Sequence, residues 1–501
     1  MTIRSSIPTR FKPSSRFKRS SQVRLTGFRP GFSVGARSLS LAASLASAVL
    51  LLSGCAPAPG TQTPAKPAES SSPKEVQAPV PRLVMTHAEG ITVLDAATLS
   101  VVAETELIGF NRLNPAGDGR HVLVSTGDAF RVFDAGAWTE KHGDHGHSYA
   151  ARPALANAAF EASQSGHAVA HAGKTALFSD GSGKVEIFDP SELADTASGG
   201  IPASDVYTAP EAHHGVAVPL EGGELLLTLG DDKARRGIAV LSAGTGQGRT
   251  ELLRSEDCPG VHGEAAAGGG AVVVGCENGM LIYRDGRISK VASPDAYGRM
   301  GNQAGSPKSP VVLGDYKVDK DAALERPTRV SLVNADTGTL RLVELGASYS
   351  FRSLGRGPGG EALVLGTDGA LRTIDPLTGQ IISTTAVVEA WEEPETWQDP
   401  RPALFVQGAT AYVTEPASRS IHAVDLASGE VTKSAELSHV PNELTGVPAN
   451  IPRTEYSLVS EDDGGPATQS DRPAVELWLD KRPLPAYARA PSFEPLRPNS
   501  A

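Results

Sequence analysis

One phrase recurs along this chain and limits what it can become. It reads as an apolar strand, a glycine-containing turn, a second strand, a Gly or Asp, then a third strand ending in Asp or a similar residue before a T-G or A-G turn. Copies begin at positions 119 (GRHVLVSTGDAFRVFDAG), 173, 269, 360 and 408, and two longer ones with insertions begin at 222 and 308. Successive starts are 54, 49, 47, 39, 52 and 48 residues apart. Long patterns of helical period are absent between Arg82 and Val447, so the expected class is all-β. Counting the short segment upstream of each copy as a further strand gives four strands per period in the forties, the pattern of β-propeller blades. The stretch from Arg82 supplies three strands without an innermost one, and PNELTGVP at 441–448 can supply it from the other end. Such a shared blade predicts eight blades, with seven as the alternative.

The two ends read differently. Residues 1–54 hold nine basic residues and no acidic one, followed by the apolar run Leu39–Leu52. A basic stretch before an apolar run too short to span a bilayer predicts an export signal. The run ends in Leu52-Ser53-Gly54-Cys55, similar to the lipobox of bacterial lipoproteins, which implies cleavage before Cys55, diacylation of its sulfur and anchoring outside the cytoplasmic membrane. Residues 55–81 are rich in Pro, Ala and Ser and predict a flexible tether. The body of the fold is expected over 82–448. Residues 449–501, rich in Pro and charge, predict a loosely ordered tail.

Removing the nine basic residues of the leader leaves 37 basic against 57 acidic residues, a balance of −20. A chain so acidic repels nucleic acid and favours cations. With Cys55 lipidated, Cys258 and Cys276 remain, and in an oxidising compartment two lone cysteines are expected to pair. Their loop contains His262. A free thiol that binds metal is the alternative.

Histidine placement points to chemistry. His167, His214 and His262 each lie just ahead of the next apolar run, at nearly one slot of three successive repeats. On inner strands facing a common axis these imidazoles can meet around one ion, imidazole being the commonest metal-binding side chain. Glu264 or water can complete a four-coordinate shell of the zinc type. His171, an even offset from His167, and His213 are further candidates. A second cluster, His142, His145 and His147 with Asp144 between, falls in a glycine-containing loop between strands, pliable enough to wrap an ion. His87, His121, His422 and His439 have no partner nearby in sequence and read as structural. Neutral imidazole is required for binding, so affinity is expected to fall below about pH 6.5.

No G-x-S-x-G, H-E-x-x-H, phosphate-binding loop or dinucleotide fingerprint appears. Two alternatives from other classes stand beside metal carriage. One is a lactonase-like propeller enzyme with a channel metal, which predicts acidic ligands and an open coordination position. The other is a surface interaction protein with structural histidines.

The motifs GFNRLNPAGDGRHVLVSTGDAFRVFDAG, HGDHGHSYA, HHGVAVPL and CPGVHGEA with GCENG resemble the AztD family of zinc metallochaperones, over about residues 82–447. That resemblance implies a non-enzymatic extracytoplasmic propeller that binds Zn²⁺ and hands it to the solute-binding protein of a zinc ABC importer. It also implies a mobile site at His142, His145 and His147 and a structured one at His167, His214 and His262. The lipobox departs from the soluble members of the family.

Overall fold

The computed structural model describes residues 72–450. The expected signal peptide 1–54, the lipidation site Cys55, residues 56–71 of the tether and residues 451–501 of the tail lie outside the described residues. Among the described residues the chain forms eight four-stranded antiparallel sheets and one three-stranded sheet, joined by turns and short 3-10 segments. The all-β expectation holds, and each four-stranded sheet has the form of a propeller blade.

Burial explains the sequence pattern. The central strands of each sheet are covered on both faces and read as continuous apolar runs. Ala271–Cys276 (AVVVGC) is buried at every position. Outer strands keep one face in water and alternate, as Arg287–Ala292 does with Arg287 and Ser289 exposed. Each sheet packs on its neighbour through an apolar layer. Val216, Val218 and Leu226 of one sheet meet Val272, Val274 and Leu281 of the next, and Ala176, Phe178 and Val185 meet Ala217, Leu225 and Leu227. One such layer unites distant parts of the chain, with Leu83, Met85 and Leu94 against Tyr412, Ile421 and Leu437. Each fully buried leucine contributes about 1.5–3 kcal/mol relative to exposure. The stretch PNELTGVP supplies the missing strand, because Leu444–Val447 pairs antiparallel with Arg82–Met85.

Three features depart from or refine the sequence reading. The histidine-rich segment after Asp134 is a regular hairpin, Ala137–His142 against His145–Ala150, instead of a strandless loop. Gly143, at φ 62°, makes the turn that lets the two strands pair. The last residues of the expected tether also form structure, since Lys74–Val76 adds a third strand to that hairpin. An open hairpin edge offers unpaired backbone groups that such a strand satisfies. Finally, the segment WEEPETWQDPRP at 391–402 is braced internally by a buried pair, Glu393 with Arg401 at 2.7 Å, and held to the body by Trp391 Nε1 donating to the Gly366 carbonyl at 3.1 Å. Cys258 and Cys276 form the expected disulfide.

Candidate metal sites

The slot shared by the repeats is at or just ahead of the start of the first strand of each four-stranded sheet. His167 lies on Ser165–His171, His214 three residues ahead of Ala217–Pro219, and His262 at the first position of His262–Ala267. Two of these strands bulge at the histidine, where the pairing register shifts between Ser165 and Ala168 and between His262 and Glu264. A bulge re-aims the side chain it carries. Glycine makes each bulge feasible. Gly263 sits at φ 73°, and a Cβ there would strike the Gln303 amide, while a Cβ at Gly166 would strike the Asp180 carboxylate.

The three rings converge. His167 Nε2 is 3.3 Å from His214 Nε2, and His214 Nε2 is 3.2 Å from His262 Nε2. All three ligand atoms lie within 4.8 Å of one another. The far nitrogens show which atoms carry protons. His262 Nδ1 lies 2.6 Å from the Gly301 carbonyl, which can only accept, so Nδ1 donates. His214 Nδ1 lies 2.5 Å from Asp180 Oδ2 and donates likewise. In the neutral rings both Nε2 atoms are then bare lone pairs facing each other with no proton between them. That contact is repulsive unless a cation sits there. Tetrahedral zinc with bonds of about 2.0–2.1 Å separates its nitrogens by roughly 3.3 Å, so the spacing fits. Asp180 and Gly301 supply the outer partners that orient metal-binding histidines.

Two of the rings are held in the neutral form. Burial, then the neighbouring His262 and His214, pushes His167 well below the usual histidine range, and Arg112 and Arg235 add to the effect. Burial takes His262 down to about 3, against the opposing pull of the Gly301 carbonyl. Proton competition at these two rings therefore sets in at lower pH than the 6.5 expected for free imidazole.

The other expected participants are placed elsewhere. Glu264 lies outside the converging atoms, and burial pushes its carboxyl up to about 8. His171 Nδ1 donates to the Pro219 carbonyl at 2.7 Å, a pin to the strand Ala217–Pro219. His213 is buried and satisfied by Thr228 Oγ1 at 3.1 Å and the Glu211 carbonyl at 2.9 Å. Arg352 and Arg112 join an ion-pair cluster in which Arg352 Nη2 is 2.8 Å and Arg112 Nε 3.5 Å from Glu443 Oε1.

The hairpin repeats the arrangement in miniature. His145 Nε2 is 3.1 Å from His147 Nε2, and the His142 ring centroid lies 5.3 Å and 5.7 Å from theirs. Here too the outer nitrogens face carboxylates, Asp144 Oδ1 at 3.1 Å from His145 Nδ1 and Glu75 Oε1 at 2.7 Å from His147 Nδ1. Asp144 thus flanks the cluster as an orienting partner. Glu75 is a participant that the sequence hides, because it sits in the expected tether. Asp180 is another, because its contact crosses from one sheet to the next. The hairpin follows Asp134, which pairs with His121 at the start of a second strand, whereas His262 pairs with Gly275 near the end of one. Hairpin and triad are therefore rooted at opposite ends of the sheets.

No family model matches the chain. The zinc chaperone AztD of Citrobacter koseri is 26% identical over 367 residues, covering 71% of this chain and 83% of the relative. The crystal structure of Citrobacter koseri AztD matches with a TM-score of 0.64 at 24% identity, and that of apo AztD with 0.62 at 22%. Each covers 74% of this chain and 98% of the solved one, which establishes the shared fold. The chain is thus similar to AztD in both sequence and fold, as its motifs led us to expect.

Proposed function

We propose that this protein is an extracytoplasmic zinc metallochaperone, held to the membrane by a lipid on Cys55, that gives Zn²⁺ to the solute-binding protein of a zinc ABC importer. Its eight four-stranded sheets are proposed to close into an eight-bladed propeller, with Leu444–Val447 as the innermost strand of the first blade. The observation that carries the reading is the pair of bare Nε2 atoms on His214 and His262, 3.2 Å apart, with His167 Nε2 3.3 Å from that of His214. A relative named for zinc chaperoning supports it.

Zinc is cargo here, and the chain's task is to hold and release it. The three rings bind, Asp180 and Gly301 orient them, and Arg112 and Arg235 place positive charge near the same point. That charge opposes a trapped dication, which suits a site that must also let go. Exchange of one imidazole at a time for a partner's ligand moves the ion with no bond broken in a substrate, so no catalytic residue is required. The hairpin cluster, rooted at the other end, serves as a separate point of capture.

A zinc titration against a chromophoric chelator tests this. Wild-type protein should show a tight class of site that is absent from His214→Ala. Equal tight binding by both proteins would remove the triad from the function.

A further inference from the structure

Two histidines without partners nearby in sequence, His87 and His439, meet because the two ends of the fold share a sheet. His87 ends the strand Arg82–His87, and His439 lies in the turn leading to Leu444–Val447. Their rings stack with centroids 4.0 Å apart and planes 7° apart. Glu89 Oε2 sits 3.1 Å from His87 Nδ1 and 3.3 Å from His439 Nδ1. These three atoms all lie within 4.8 Å of one another. We infer that His87, Glu89 and His439 form a further binding site for a borderline divalent cation of the zinc type, separate from the triad and the hairpin.

Four observations support this. The two distances to Glu89 match the edge of a tetrahedron around an ion with bonds near 2.0–2.1 Å, roughly 3.3 Å. The His87 ring is 5% exposed, and its Nε2 has no hydrogen-bond partner among the described residues, so hydrogen bonding alone does not explain its burial. Among the described residues Glu89 and Glu104 have ion-pair partners only among imidazoles, which leaves two carboxylates uncompensated when the rings are neutral. The cluster also borders a cleft of about 550 Å³ lined by Phe110, Gln398 and Pro400, which gives an ion a path from solvent. Two nitrogens and one carboxylate oxygen suit zinc-like ions better than calcium or magnesium.

Stacked rings point their lone pairs in parallel, so one must turn when an ion enters. His439 is the free one, its side chain 33% exposed against 5% for His87. Glu104 Oε1, 3.9 Å from His439 Nε2, is placed to take the proton on that nitrogen and steady the turned ring. The cluster lies where second strands end, the same end of the sheets as the triad.

Metal-free full-length protein is titrated with Zn²⁺, and bound metal is counted by elemental analysis. Glu89→Gln and His439→Ala, both surface changes, should each bind about one equivalent less than wild type. A chain carrying His142→Ala, His145→Ala, His147→Ala and His214→Ala should keep about one equivalent, lost on adding His439→Ala. Cobalt substituted into that chain should give the absorption of a low-coordinate ion, and circular dichroism confirms folding. Unchanged metal content in both single variants, each folded, would overturn the proposal. So would a folded four-histidine variant that binds none. Either result leaves the triad and hairpin counts intact, so the two readings fail separately.

Discussion

The triad and the hairpin use the same chemistry on opposite terms. Each brings imidazole Nε2 atoms to within 3.1–3.3 Å and orients rings through Nδ1 with a carboxylate or carbonyl. The triad draws its rings from three sheets, and two of the rings are kept neutral by burial. Its geometry is fixed when the fold forms, so little ordering remains for an ion to impose. The hairpin draws its rings from six consecutive residues on an exposed ribbon, with the Asp144 and His145 side chains 101% and 57% exposed. Its geometry is settled largely by the ion itself. One site depends on the whole fold and the other on a short local segment, so their responses to perturbation should diverge.

The largest divergence is expected from His214→Ala, which removes the ring that faces both others. Measured by chelator competition in a chain whose hairpin histidines are alanine, zinc affinity should fall by more than about 100-fold. The corresponding His145→Ala in a His214→Ala background should lose less, and equal losses would erase the distinction. Next comes the disulfide. Cys258→Ser with Cys276→Ser should lower unfolding stability by on the order of 3 kcal/mol in a denaturant melt. It should also weaken the triad, since Cys276 neighbours Gly275, the partner of His262, while leaving hairpin binding unchanged. Asp180→Asn should reduce triad affinity by roughly 10–100-fold without loss of stability on that scale.

Protonation gives a subtler contrast. An unfolded histidine titrates near 6.5, whereas His262 in the fold titrates at about 3. Below pH 6.5 the unfolded state therefore takes up a proton that the folded ring refuses. Stability of the metal-free protein should fall steadily as pH drops from 6.5 towards 3, and His262→Gln should flatten that slope in thermal melts. A slope unchanged by the substitution would show that His262 is not held neutral. The smallest effect is expected from Glu75→Gln, an exposed orienting group, with less than about tenfold loss at the hairpin in the same competition assay.

Much of this was legible in the sequence because repetition makes position readable. His167, His214 and His262 share a slot, and a repeat folded on itself brings equal slots together. The pairing of Leu444–Val447 with Arg82–Met85 followed from a first repeat that lacked one strand. What stayed hidden depends on contacts between non-equivalent positions. Asp180 sits in a turn of one sheet and reaches a histidine of the next. His87 and His439 read as structural because their meeting is a product of the joined ends. Glu75 fell in a stretch of tether-like composition, and only the free edge of the hairpin draws it into a strand. The hairpin itself was masked by its glycines, which read as pliability but serve as a turn.

That added strand has a mechanical consequence. Lys74, Glu75 and Val76 are stitched to Ala150, Tyr149 and Ser148, so a pull on the chain at Lys74 is borne by the ribbon that displays His145 and His147. A cation gripped there, with Glu75 braced against His147, acts as a rivet across the three strands. Loading the ribbon and locking its added strand then become one event.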